Sequence, residues 1–116
     1  MRVAITGSRD RRPGAEEFQA FLALYERLGG TELLHGDCRG TDQHVGRLAE
    51  KHGLVVTAVP VVHSVDGPWP GAGPRRNRRM LAKGAEALIA FQGNKGTRNC
   101  VATARLMGIP VYFVTT

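Results

Sequence analysis

Cysteine is scarce in this chain: Cys38 and Cys100 are the only two among 116 residues. Two cysteines cannot build the disulfide framework that holds small secreted domains together, so both are expected as free thiols. No apolar run approaches the ~20 residues needed to cross a bilayer. The opening stretch, Met1 to Gly7, reaches a turn too soon for a signal peptide. A cytoplasmic protein without a membrane partner is therefore expected. Aromatic residues are also few, with one Trp, two Tyr and four Phe. A generic single-strand nucleic-acid platform needs exposed rings between its charges, and only Trp69 is well placed for that. Disorder is excluded by the 42% hydrophobic content and the recurring β-branched runs.

What the chain does have is arginine. Sixteen basic residues oppose ten acidic ones for a net charge of +6, and thirteen of the sixteen are Arg. Four of them, Arg75, Arg76, Arg78 and Arg79, fall within five residues, and without them the charge drops to +2. A basic balance this local suits a phosphate group better than a uniformly coated nucleic-acid surface.

Apolar periodicity divides the chain into alternating strands and helices. RVAIT (2–6), TELLH (31–35), LVVTAVP (54–60), EALIAF (86–91) and IPVYFV (109–114) read as strands. Helices are expected at 15–28, with Phe18, Phe21, Leu22, Tyr25 and Leu28 on one stripe, at 41–51, from Pro74 to Lys83, and at 98–107. The stretch from Val61 to Gly73, rich in Pro and Gly, reads as a functional or mobile loop. Strict β-α alternation predicts a single α/β domain over 1–116, Rossmann-like and doubly wound. Its five-stranded parallel sheet takes the order 3-2-1-4-5, with helices on both faces. Pro110 argues that the last strand starts at an edge. In such a sheet the ligand site lies at the carboxyl ends of the strands, where the winding reverses between strands one and four.

Three loops meet at that edge. Gly7-Ser8-Arg9 offers close backbone approach, a hydroxyl and a guanidinium fork for phosphate or carboxylate, or else is an ordinary turn with a solvated arginine. Gly36-Asp37-Cys38-Arg39-Gly40-Thr41-Asp42 opens the second helix. Gly36, Arg39, Gly40 and Thr41 are candidates for holding an anion there. Asp42 either meets a ribose hydroxyl or only favours the helix dipole. His35, just before, is a pocket wall or a satisfied edge histidine. Gly93-Asn94-Lys95-Gly96-Thr97 is a second glycine-rich strand-to-helix turn, suited to phosphate on backbone amides, with Thr97 as hydroxyl donor and N-cap candidate. No dinucleotide fingerprint follows the first strand at Gly7-Ser8-Arg9, and the Gly93–Thr97 turn lacks P-loop spacing. Within the arginine cluster, Arg76 and Asn77 are the pocket candidates, because Met80 must turn inward on the same helix. Trp69 is positioned to close over a base.

No metal is expected, since Cys38, His44, His63 and Cys100 lack zinc-ligand spacing. Cys100 has no base beside it that would make it a nucleophile.

These pieces resemble the SLOG superfamily of small Rossmann-like domains, which includes the LOG phosphoribohydrolases and DprA, and are most similar to its YspA-like branch. The resemblance is carried by Thr6-Gly7-Ser8-Arg9, by His35 to Asp42, by Ala72 to Met80 and by Ala90 to Thr97. It implies a nucleotide-binding fold and a homodimer. LOG enzymes cleave the N-glycosidic bond of nucleoside 5′-monophosphates using a motif Glu and an Arg. Here Arg76 takes the arginine position and Met80 is kept, whereas Asn77 replaces a lysine and Cys100 stands where the Glu would be. Such glycosyl transfer uses a carboxylate to stabilise an oxocarbenium-like state or to activate water, tasks for which a neutral thiol is poorly suited. The resemblance to DprA, through Gly36, Gly40 and Asp42, implies a nucleic-acid-binding alternative. The leading expectation is binding, with hydrolytic processing as an extension, of a small phosphorylated nucleotide or ADP-ribose-like ligand. No cofactor is required by this reading.

Overall fold

The computed structural model describes residues 1–115. The chain runs β1 (Arg2–Thr6), α1 (Ala15–Arg27), β2 (Glu32–His35), α2 (Thr41–Lys51), β3 (Val56–Ala58), α3 (His63–Asp66), α4 (Ala72–Leu81), β4 (Ala85–Ala90), α5 (Lys95–Leu106) and β5 (Val111–Phe113). All strand pairs are parallel and the sheet order is β3-β2-β1-β4-β5. β1 is central, with Val3 opposite Leu33 on one side and Ile5 opposite Ile89 on the other.

Period-two alternation in the strands divides the interior between two faces. Val3, Ile5, Leu33, Ala87 and Ile89 point to one face, where Phe18, Phe21 and Tyr25 of α1 and Val45 and Ala49 of α2 cover them. Ala4, Leu34, Leu88 and Ala90 point to the other, beneath Met80 and Leu81 of α4 and Cys100, Val101 and Ala104 of α5. Burial on both faces explains why the central strands lack a polar alternation. β5 is an edge strand. Pro110, just before it, contributes only its carbonyl, which accepts from the Leu88 amide at 2.9 Å, so its missing N–H is harmless.

Several boundaries differ from the sequence expectation: β3 and β5 are only three residues each, and the linker before α4 and the start of α5 differ most. The segment after β3 is not one irregular loop. It contains α3 and is tied down at Asp66, whose Oδ2 accepts from the Val62 amide (2.9 Å) and from Arg79 Nη2 (2.7 Å). α4 consequently begins at Ala72, with Pro74 as its third residue, in the first turn where a missing N–H leaves no bond unmade. α5 begins at Lys95 rather than Arg98, because Gly96 falls in a first turn whose amides have no intrahelical acceptor to keep in register. Among the described residues, no helix is long and apolar enough to cross a membrane.

Phe21 is fully buried and meets Phe18, Tyr25 and Phe91 at ring-centroid distances of 5.7, 5.8 and 5.9 Å. Phe21→Ala is expected to lower unfolding stability by about 3–5 kcal/mol, read from the urea midpoint at unchanged m-value.

Candidate functional site

The strand ends on the α4–α5 side of the winding reversal enclose a cavity of about 340 Å³. Its walls come from four stretches: Ile5, Thr6, Gly7 and Arg9 at the end of β1 and just after it, Gly36, Cys38 and Asp42 around the β2–α2 turn, Trp69 and Pro70 with Gly73, Pro74, Arg76, Asn77 and Met80 of α4, and Lys95, Gly96 and Asn99 on α5.

Arg76 is the centre of this arrangement. It is only 5% exposed. Its Nη1 donates to the Gly36 carbonyl and, at 3.4 Å, to that of Val59. Nε donates to Asn77 Oδ1 (3.1 Å) and Nη2 to Cys38 Sγ (3.4 Å). A guanidinium has five N–H donors, so one on Nη2 is left without an acceptor among the described residues. No carboxylate pairs with Arg76 among the described residues either. Burying a cation is costly unless an anion answers it. Gly36 is required for this fit, because a Cβ there would lie 2.5 Å from the guanidinium carbon.

Asp42 is the carboxylate of the cavity wall and is almost fully buried. Its Oδ2 accepts from the amides of Gly36 (3.0 Å) and Cys38 (3.4 Å), closing the β2–α2 turn. Oδ1 has no hydrogen-bond partner among the described residues. Burial raises the Asp42 pKa to about 6, against the opposing pull of the nearby Arg76 and the two amides. Trp69 stands at the rim, half exposed, with the Arg9 guanidinium 5.5 Å from its ring centroid and His63 edge-on at 5.7 Å. At the start of α5 the amides of Lys95, Gly96 and Thr97 have no acceptor among the described residues, and Lys95 and Gly96 face the cavity.

Of the residues singled out in the sequence, the cavity brings together Gly7, Arg9, Gly36, Asp42, Trp69, Arg76, Asn77, Lys95 and Gly96. It does not include Ser8, Arg39, Gly40, Thr41, Gly93, Asn94 or Thr97. Gly40 (φ 80°) lies against the Ser8 and Arg9 carbonyls, and the Thr41 amide donates to Ser8 O (3.0 Å), so these residues lock the first loop to the second. The Ser8 hydroxyl accepts from the Asp10 amide (3.0 Å) inside its own turn. Arg39 reaches outward to Asp10. Asn94, not Thr97, is the N-cap of α5. Thr97 turns to the opposite side of that helix and, with Gly93, faces a groove beside Phe113. His35 is a satisfied strand-end histidine: its Nδ1 accepts from the Asp37 amide (2.9 Å), and burial lowers its pKa.

The four clustered arginines have separate tasks. Arg75 donates to the Asp66 and Pro68 carbonyls, and Arg79 grips the Asp66 carboxylate through Nε (2.9 Å) and Nη2 (2.7 Å). That pairing, with the Val62 amide, holds the Asp66 pKa well below the usual carboxylate range. Arg78 is exposed. Sequence reasoning missed Cys38 and Asn99 as wall residues. Asn99 is four residues beyond Lys95, a helical spacing that places both on one face, and its Oδ1 accepts from Asn77 Nδ2 (3.2 Å). Cys100 is fully buried, outside the cavity wall, and burial pushes its thiol up to about 11. Among the described residues, no group of three His, Cys, Asp or Glu side chains is placed to hold a metal.

No family model matches the chain. The Gene 61 protein of Mycobacterium phage D29 is 36% identical to it over 118 residues, spanning 95% of this chain and 93% of that protein. The chain belongs to the Gene 61 protein family. Likeness over nearly the full length of both chains means that this Gene 61 family member shares its whole α/β domain with the phage protein, rather than an isolated motif.

The raised Asp42 pKa gives a pH signature. A carboxyl with a folded pKa above its unfolded value adds stability below the unfolded pKa, and this is lost as pH rises toward about 6. Asp42→Asn keeps a neutral side chain with an oxygen for the two amides. Relative to wild type, this variant is therefore expected to gain roughly 2 kcal/mol between pH 4 and pH 7. Urea unfolding at both pH values measures this, and a constant difference would contradict the buried-carboxyl assignment.

Proposed function

We propose that the cavity binds a small phosphorylated nucleotide or nucleotide-derived molecule of the ADP-ribose kind, consistent with the resemblance to SLOG domains. The observation that carries this reading is Arg76, a buried guanidinium without a carboxylate partner among the described residues, facing a cavity at the winding reversal of a parallel sheet. A phosphate is the anion best matched to its fork and to the unbonded amides at the start of α5. The half-exposed Trp69 ring offers a face for a base, and Asp42 Oδ1 an acceptor for a sugar hydroxyl. The cavity volume lies at the low end of the ~300–1,000 Å³ range typical of ligand sites, which suits about one nucleotide unit.

Hydrolysis of an N-glycosidic or phosphoanhydride bond is the processing step in this proposal. The buried thiol of Cys100 does not supply the carboxylate chemistry of LOG enzymes. Asp42, the acidic side chain on the cavity wall, is the group available to activate water. Free Cys38 and Cys100 fit a reducing cytoplasm, and a homodimer is part of the same reading.

Native mass spectrometry of the purified protein, followed by denaturing extraction, tests for a retained nucleotide or sugar phosphate. Titration of Trp69 fluorescence with AMP and ADP-ribose then measures affinity. Arg76→Ala is expected to weaken binding at least ~10-fold. Arg76→Lys should recover only part of the loss, because it restores charge without the fork. A folded wild-type protein that ignored a nucleotide panel and instead bound single-stranded DNA with steep salt dependence would overturn this reading.

A further inference from the structure

Beside the cavity runs a second, open groove of about 410 Å³ lined by Arg9, Asp10, Arg11, Arg12, Arg39 and Gly40. Arg9 belongs to the walls of both. The groove is formed where the loops after β1 and β2 are fastened together by the bonds of Thr41, its amide to Ser8 O (3.0 Å) and its hydroxyl to Arg11 O (3.3 Å). Four guanidinium groups thus surround one carboxylate. Arg9 and Arg12 have no acidic partner among the described residues. Arg11 is held in place by a two-pronged bond to Glu17 (3.2 and 2.8 Å). Arg39 and Asp10 pair at 3.2 Å with side chains 75% and 68% exposed, a bridge so well solvated that a stronger acceptor readily replaces it.

We propose that this groove is a second phosphate subsite, continuous with the cavity through Arg9, so that the ligand carries a further phosphate beyond the nucleotide unit in the cavity. The inference rests on the nucleotide reading of the cavity and extends it. A cavity of about 340 Å³ leaves little room for a second phosphate and its substituent. Arg9 places a cation on the shared wall of cavity and groove, and Arg12 and Arg39 continue the positive charge outward. Guanidinium forks are well suited to such a phosphate. The shared chemistry is a second phosphate, supplied either by the diphosphate of a small molecule or by the next phosphodiester of a short strand.

The test uses Trp69 fluorescence at low salt with three probes: AMP, ADP-ribose and the 5′-phosphorylated dinucleotide pApA. Wild type is expected to bind at least one two-phosphate probe ~10-fold more tightly than AMP. That ratio should shrink as salt is added and fall to about one in Arg12→Ala/Arg39→Ala. Both substituted side chains are exposed, so the fold does not depend on them. A gain confined to ADP-ribose identifies a diphosphate ligand, and one confined to pApA identifies a strand. AMP binding without any gain from a second phosphate, or a gain that survives the double substitution, overturns the subsite and leaves the cavity reading standing. Failure of all three probes, AMP included, overturns the cavity reading and the subsite together.

Discussion

The bond from Arg76 to the Gly36 carbonyl joins the two halves of the molecule at the point where the site forms. Arg76 belongs to α4, on one face of the sheet, and Gly36 to the turn that leads into α2, on the other. The same guanidinium reaches Val59 after β3 and Cys38 in the turn. Gly36 in turn gives its amide to Asp42. One glycine thus presents its carbonyl to a cation and its N–H to an anion, which keeps the two charged side chains apart while fixing both. The cavity depends on this separation. A direct Arg76–Asp42 ion pair would neutralise both charges, whereas the observed geometry leaves an unused Nη2 hydrogen and an unused carboxylate oxygen on its walls.

The segment between β3 and α4 shows a related economy. Arg79 and Arg75 anchor it through Asp66, and that anchoring presents Trp69 at the cavity rim. Helical spacing makes these tasks compatible, since Arg75 and Arg79 share a face four residues apart while Arg76 lies about 100° round the helix. A basic cluster that looks like one feature along the chain is three features in space: a loop clamp, a buried guanidinium on the cavity wall and a solvated arginine at Arg78. The nucleotide reading draws only on the second.

Much of the architecture was legible in the residues. The Phe18–Phe21–Tyr25 stripe, the β-branched strands without polar alternation and the glycine stops predicted both the elements and their parallel order, because apolar periodicity and crossover handedness leave few alternatives. The site was legible in outline. Arg76 and Asn77 could be separated from their neighbours by the need of Met80 to turn inward, and Asp42 and Gly36 stood out in the turn after β2. The two glycine-rich loops were harder to read. Glycine marks a close approach without saying what approaches. At Gly36 it is the guanidinium of Arg76, at Gly40 the backbone of the first loop, and at Gly93 the side chain of Thr97. Only the first of these belongs to the cavity.

By itself, then, the sequence determined the sheet order, the two apolar faces and the edge at which a site could form. These follow from local periodicity and from the handedness of the chain. The tertiary structure decided which charges are free. Arg79 is committed to Asp66 and Arg11 to Glu17, while Arg76, Arg9 and Arg12 have no carboxylate partner among the described residues. Arg11 and Glu17 are six residues apart, but the other partnerships join segments more remote in sequence. Arg79 and Asp66 are thirteen residues apart, and Arg76 and Gly36 forty. No spacing rule along the chain encodes such pairs, because they exist only once the fold has brought the segments that carry them together.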